Sequence, residues 1–356
     1  MARNTIARIH PSAIAHNLGR VRELAPGSRV MAVVKADAYG HRLDLCLPAL
    51  ADADMLAVAT LEEARAIRRL GSGLPVLLLE GVIHDSDLTV ATDLGLELTI
   101  HHPAQIAALE NFGRSPASRI WLKLDSGMHR LGIPADQAGA VHQRLLRLPG
   151  VSQVNLISHF ASADEPDHAL TSRQIERFEQ MIDGLEGEHC LANSAAVLRY
   201  PHAHRDWVRA GIMLYGISPF AGTTGAELGL KPAMTLTSEL MAINRVPAGE
   251  AIGYGARYRA ERDLTIGVAA IGYGDGYPRS TADGAPVLVN KQVCRLAGRV
   301  SMDMITIDLT QCPDARIGDP VVLWGRGLPV ETIAAHADTI AYELVCRVTR
   351  RVRYRA

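Results

Sequence analysis

VMAVVKADAYGH, residues 30–41, is the stretch on which the reading of the fold turns. Five apolar residues run without polar alternation into Lys35, which is the texture of a parallel strand buried on both faces. Seven further runs share it: MLAVA (55–59), PVLLL (75–79), LELTI (96–100), IWLKL (120–124), VNLIS (154–158), HCLAN (189–193) and WVRAG (207–211). Amphipathic segments separate most of them, among them TLEEARAIRRLG (60–71) and PADQAGAVHQRLLRLPG (134–150). Thr60 and Glu63 have the spacing of a capping box, which places a helix start after Thr60. Eight strand–helix units close a (β/α)8, TIM-type barrel. The eighth unit is the weakest, because the interval from 193 to 207 is short for a full crossover.

The texture changes after SPFAGTTGAELG (218–229), a Gly- and Thr-rich linker. Short alternating runs follow, including MTLTSELMAI, APVLVNKQVCRLAG, ITIDL and DPVVLWG, and only ETIAAHA (331–337) reads as helix. The expected architecture is α/β: a barrel over residues 11–221, then a mostly β domain over 222–356, joined by a strand at 3–9.

Composition narrows the function. The chain has 356 residues, 48% hydrophobic and 21% charged, with a net charge of −1. No basic stripe tracks a phosphate backbone, so no nucleic-acid partner is expected. No apolar run approaches the roughly 18 residues of a membrane span, and the N-terminal stretch lacks a signal-peptide core. The five cysteines (46, 190, 294, 312, 346) are far apart, odd in number, and each in or beside an apolar run. They read as free buried thiols of a cytoplasmic protein, with no CxxC pair and no metal site.

Functional groups of a parallel barrel gather at the C-terminal ends of its strands. Those ends carry Lys35, Glu80, Lys123 with Asp125, His159, Asn193 with Ser194, and Arg209: a cation-rich rim suited to an anionic ligand. Any one of them could be ordinary rim polarity. Lys35 could be solvated, paired with Asp37, or covalently bonded. A lysine in a partly apolar mouth loses solvation of its charged form, and its amine becomes nucleophilic. ANSAAVLRY (192–200) and RAGIMLYG (209–216) supply a serine before a helix and Gly211, at which backbone can approach a phosphate closely. A nucleophilic lysine beside a phosphate cradle fits an aldehyde-bearing phosphate, pyridoxal 5'-phosphate.

Seven segments together resemble the bacterial alanine racemase family: AVVKADAYGH (32–41), LDSGMHRLGI (124–133), SHFASADE (158–165), RAGIMLYGISP (209–219), GYGARY (253–258), GYGDGYPR (272–279) and GRVSMDM (298–304). YELVCRVTRRV (342–352) is similar to the family's final strand. The resemblance implies that Lys35 carries pyridoxal phosphate as a Schiff base and is one of two opposed bases. Tyr254 would be the other. Arg209 would face the cofactor's ring nitrogen and, being unable to accept its proton, leave it neutral; His159 would link Arg209 to Tyr254. Tyr39, Ser194, Gly211 and Ile212 would hold the phosphate. Arg130 and the Met302 N–H would position cofactor and substrate carboxylate, while Tyr273 and Asp303 would line a narrow entrance. Lys123 corresponds to a residue that is carbamylated in many members.

The implied activity is interconversion of L- and D-alanine by a head-to-tail homodimer with shared sites, supplying D-alanine for peptidoglycan or degrading it. The alternatives are a racemase of another small or broader range of amino acids, a pyridoxal decarboxylase, and a cofactor carrier. Two departures stand out. Arg42 replaces a glycine common after KADAYGH. Arg350 lies near the place of a tyrosine that reaches the phosphate in some members, so no phosphate ligand is expected from the C-terminus. Asp37 and His41 have no expected role.

Overall fold

The computed structural model describes residues 4–82, 84–165 and 169–356. Strand β1 (Ile6–Ile9) precedes eight parallel strands that close into a barrel. These are β2 (Arg29–Val33), β3 (Met55–Val58), β4 (Val76–Leu78), β5 (Leu96–Ile100), β6 (Arg119–Lys123), β7 (Gln153–Ile157), β8 (His189–Asn193) and β9 (Trp207–Ala210). Closure is through β2 and β9, with Met31 opposite Arg209. Every residue of β3, β4 and β5 is buried, as the unalternating runs require. The capping box is present, with the Glu63 N–H donating to Thr60 Oγ1. The helix between β8 and β9, Ser194–Arg199, is short, with six residues, although the Leu43–Cys46 helix after β2 is shorter still, with four.

Strand periodicity decides what faces the barrel axis. Trp121 and Trp207 cross edge-on inside, with ring centroids 5.8 Å apart. Their indole N–H groups donate to Glu97 Oε2 (2.7 Å) and Glu188 Oε2 (2.8 Å). Arg119 also pairs with Glu97, which keeps a carboxylate that burial disfavours from being left alone. Two residues further along the same strand faces come Lys123 and Arg209. Val33 is likewise followed two positions later by Lys35. The alternation that builds an apolar floor thus delivers three cations to the mouth.

The second domain is built on β10 (Met234–Val246), β11 (Ala251–Ile252), β12 (Tyr258–Arg259), β13 (Leu264–Ala269), β14 (Pro286–Val289), β15 (Gln292–Leu296), β16 (Ile305–Asp308), β17 (Pro320–Trp324) and β18 (Arg353–Arg355). Eight strands form one sheet in the order β13-β16-β15-β14-β17-β10-β1-β18, and β13 also pairs with β10. β1 runs antiparallel to β10 and parallel to β18, with Ile6 opposite both Thr237 and Arg353. The first strand therefore belongs to the sheet of the β domain. β11 and β12 form a separate two-stranded ribbon.

Two expectations need correction. YELVCRVTRRV is not a strand: it begins inside a helix, Ala341–Cys346, and β18 starts only at Arg353. Ala341, Leu344 and Val345 are its buried residues, an i, i+3, i+4 pattern that belongs to a helix. Cys346 is accordingly exposed, whereas the other four cysteines are buried free thiols. The helix expected at ETIAAHA is present as Val330–His336.

Candidate active site

The barrel mouth holds a cavity of about 550 Å³ whose walls include Lys35, Tyr39, Lys123, Arg130, His159, Ser194, Arg209, Gly211 and Ile212. With Glu80 and Asn193 also in its walls, eleven of the residues singled out in the sequence share one site. Four cations line it against one carboxylate, Glu80. Such a balance favours ligands carrying more than one negative charge.

The phosphate cradle is the best-defined part. Asn193, not Ser194, caps the helix that follows β8, its Oδ1 accepting from the Ala196 N–H at 3.0 Å. Ser194 is thereby released from capping, and its Oγ accepts from the Gly211 N–H at 2.9 Å. A Cβ on Gly211 would lie 2.7 Å from the Tyr39 hydroxyl and 3.8 Å from Ser194 Oγ. Tyr39 Oη, Ser194 Oγ and the Gly211 backbone thus meet at one point, which only glycine leaves open. A phosphate-bearing cofactor with an aldehyde fits this donor set, with Lys35 on the same cavity wall.

Arg209 is 5% exposed and donates three times: to Ser158 O (2.9 Å), His159 Nδ1 (3.0 Å) and Cys190 Sγ (3.0 Å). Because guanidinium only donates, His159 Nδ1 must accept, and its proton resides on Nε2. Burial, then the Arg209 charge, holds the His159 pKa well below its ordinary value, so the ring is neutral. Gln174 fixes this histidine from behind, donating to His159 O at 3.0 Å while accepting from the Ala161 N–H. Lys123 is held down to about 8 by burial, then by Arg209 and Arg130. A minor fraction of it is therefore a neutral amine near physiological pH, rising to about half at pH 8.

Between Lys35 and Gly40 the backbone turns left-handed. Ala36, Asp37, Ala38 and Tyr39 all have φ between 52° and 58°. Non-glycine residues there cost on the order of 1 kcal/mol each, so the turn must be held by its surroundings. Glu63 Oε1 accepts the Ala36 N–H at 2.6 Å, and Asp37 Oδ1 accepts the Leu43 N–H at 2.8 Å. Tyr354 donates its hydroxyl to Gly40 O at 3.0 Å. A Cβ on Gly40 would sit 2.0 Å from Val345 O, so the helix over 341–346 presses directly on the turn. Arg42 flanks Asp37 and Asp44 at 3.6 and 3.3 Å. His41 is fully buried and stacks on Tyr215, whose other neighbour is Tyr39. Asp37, His41 and Arg42 thus build the turn that carries Lys35 and Tyr39.

Tyr342 was not anticipated. It lines the mouth, with its ring centroid 6.2 Å from that of Tyr39. Arg350, weighed for that place, lies instead in a surface hollow with Arg42 and Asp37. The signal for Tyr342 was the helical period of 341–346, which turns it inward from the position before Glu343. Tyr254, Tyr273, Met302 and Asp303 do not line the mouth cavity. Tyr254 sits on a turn between β11 and β12 and is 69% exposed. Tyr273 and Met302 are brought together by the Tyr273 N–H to Ser301 O and Gly274 N–H to Met302 O bonds. Asp303 pairs with Arg351.

Two family models match the chain, the alanine racemase N-terminal domain over residues 9–219 and the alanine racemase C-terminal domain over 233–356. The chain belongs to the alanine racemase family. A Nitrosococcus oceani alanine racemase is 52% identical over 97% of both chains. A biosynthetic alanine racemase of Escherichia coli is 48% identical over 97% of this chain and 96% of its own. Among solved structures, the biosynthetic alanine racemase of Pseudomonas aeruginosa superposes with a TM-score of 0.96, at 49% identity over 99% of each chain. The alanine racemase of Bartonella henselae, solved with covalently bound pyridoxal phosphate, superposes at 0.88 with 25% identity over 99% of each chain. The family's two-domain plan is therefore the plan of this chain. Among the described residues, no helix is long and apolar enough to cross a membrane.

Proposed function

We propose that the protein interconverts L- and D-alanine, using Lys35 and Tyr254 as bases on opposite faces of the substrate. The observation that carries this reading is the cradle at the mouth, where Tyr39, Ser194 and Gly211 converge on the same cavity as Lys35. Pyridoxal 5'-phosphate bound there would acidify the α-C–H of a joined amino acid by delocalising its electron pair. Tyr39, Tyr342, Ser194, Gly211 and Ile212 would hold the phosphate. Arg209 donates at every contact it makes and cannot take a proton, so a ring nitrogen facing it would stay neutral. Arg130 and the Met302 N–H would orient the cofactor and the substrate carboxylate, and Tyr273 with Asp303 would restrict the entrance to a small side chain.

Racemisation needs one group to remove the α-proton from one face and another to return a proton to the other. The Lys35 amine serves the first face. Tyr254 is exposed on the β domain, outside the mouth cavity, so the phenol for the second face comes from another copy of the chain. A head-to-tail homodimer with two shared sites satisfies both needs at once. Lys123, depressed to about 8, has a fraction of neutral amine able to attack carbon dioxide with loss of a proton, and its carbamate would put a carboxylate beside Arg130. We place the protein in the cytoplasm, supplying or recycling D-alanine for cell-wall peptide.

The test is isotopic. With L-alanine in deuterated water, the holoenzyme should give α-deuterated D-alanine faster than with any other amino acid. Decarboxylation, or exchange without inversion, would sink the reading. Tyr254→Phe should confine exchange to the enantiomer that Lys35 deprotonates; full activity on both would remove Tyr254 from the mechanism.

A further inference from the structure

Behind the phosphate cradle lies a second cavity, of about 250 Å³, where the barrel meets the β domain. Its floor is fully buried His41, Tyr215 and Trp324, and its outer wall includes exposed Ala226 and Gly327. The cavity therefore deepens from solvent, between the 218–229 linker and the turn after β17, towards the back of the turn that carries Lys35. Most of the lining is apolar, with Ile217, Met234, Val330 and Val345 prominent.

Two floor residues carry polar atoms with no hydrogen-bond partner among the described residues: His41 Nε2 and Trp324 Nε1. Buried polar atoms are nearly always paired, so each unpaired one calls for an explanation. Their chemistry is fixed by their neighbours. His41 Nδ1 lies 2.8 Å from Tyr39 O, a carbonyl that can only accept, so Nδ1 carries the proton. His41 Nε2 is therefore a bare acceptor, and burial, which lowers the His41 pKa to about 4, keeps it so. Trp324 Nε1 can only donate. The floor offers one uncharged acceptor and one uncharged donor beneath a mostly apolar wall, whose carboxylate, Glu331, already accepts from the Ser218 and Gly225 N–H groups at 2.8 Å each.

We propose that this cavity is a binding site, distinct from the barrel mouth, for a small neutral molecule that joins an apolar body to a hydroxyl or primary amide group. Such a group gives its hydrogen to His41 Nε2 and accepts from Trp324 Nε1, which completes both buried partners. An anionic ligand would find no counter-ion in the lining, where the charged side chain is the Glu331 carboxylate. A hydrocarbon would leave both atoms unpaired.

The occupant would also reach the cofactor cradle. His41 stacks on Tyr215 at 4.7 Å, and Tyr215 stacks on Tyr39 at 5.0 Å. Tyr215 further donates to Val33 O at 3.0 Å, two residues before Lys35. A molecule bound to His41 therefore bears on both ends of the Lys35–Tyr39 turn.

The experiment is a set of matched aromatic probes on purified holoenzyme: benzyl alcohol and benzamide, with toluene as hydrocarbon control and benzoate as charged control. Binding is read from tryptophan fluorescence and from electron density in soaked crystals. The alcohol and the amide should bind in this cavity at least about fivefold more tightly than toluene and benzoate, a difference of about 1 kcal/mol. Trp324→Phe, which keeps an aromatic ring and deletes the donor, should cut the alcohol's advantage over toluene to what its hydrogen bond to His41 Nε2 alone supplies. Ala226→Trp, at the exposed mouth, should block every probe while racemisation in the absence of probe continues. Three results would overturn the proposal: ordered water alone in the soaked cavity, toluene binding as tightly as benzyl alcohol, or unchanged affinities in both variants.

Discussion

Lys123→Met is the sharpest test of the electrostatics of the barrel mouth. Burial, with Arg209 and Arg130 nearby, lowers the Lys123 pKa from 10.5 to about 8 in the fold. The difference, 10.5 minus 8, corresponds to a penalty of roughly 3 kcal/mol on the charged form. Below about pH 8 both the folded and unfolded chains carry the proton, and the penalty is fully present. Between about 8 and 10.5 the unfolded chain holds the proton more firmly, so stability rises with pH until both states are neutral. Methionine, with similar length and no charge, removes the effect. Urea unfolding of both proteins in carbon-dioxide-free buffer, at about pH 7 and pH 9.5, isolates it from all other titrating groups. Over that interval the native protein should gain about 2 kcal/mol relative to Lys123→Met. A stability gap that does not change with pH would refute the reasoning, since it would mean that the fold does not disfavour the ammonium. Bicarbonate at about pH 7 should stabilise the native protein and leave the variant unmoved if the amine is carbamylated.

Two other substitutions probe other parts of the site. Gly211→Ala puts a methyl group 2.7 Å from the Tyr39 hydroxyl and should weaken retention of pyridoxal phosphate about tenfold or more; titration followed by absorbance checks it, and unchanged retention would displace the cradle. Glu97→Leu leaves the Trp121 N–H and the Arg119 guanidinium without their acceptor at the barrel floor, and should cost about 2–3 kcal/mol in urea unfolding, less whatever Arg119 recovers from water.

The barrel was legible because parallel strands covered by helices are apolar on both faces, so VMAVV and MLAVA cannot be read as half-exposed strands. The mouth was legible because a strand's end follows from its apolar run. Contacts between distant segments were not. Tyr342 meets Tyr39 only through a six-residue helix, too short for its period to outweigh the strand-like look of YELVCRV. The left-handed turn was invisible for a different reason. Ala36, Ala38 and Tyr39 have no local preference for positive φ and Asp37 only a weak one, and the partners that impose it, Glu63, Val345 and Tyr354, are remote in sequence. Local rules fail where tertiary contacts override them, and here that place is the turn between two expected cofactor ligands.

That turn also imposes an order on assembly. Tyr354 grips Gly40 across 314 positions, and β18 borders β1. While a chain is being made from its N-terminus, every barrel strand is available long before these clamps exist. A barrel complete up to β9 would have the Glu63 and Asp37 bonds but would still lack the Val345 and Tyr354 contacts on four residues in an unfavourable conformation. The backbone between Lys35 and Gly40 should therefore relax to ordinary right-handed or extended geometry in any nascent or truncated chain, carrying the Tyr39 hydroxyl away from Gly211. Competence to bind a cofactor would then arrive late and all at once, so that an unfinished chain cannot sequester a reactive aldehyde.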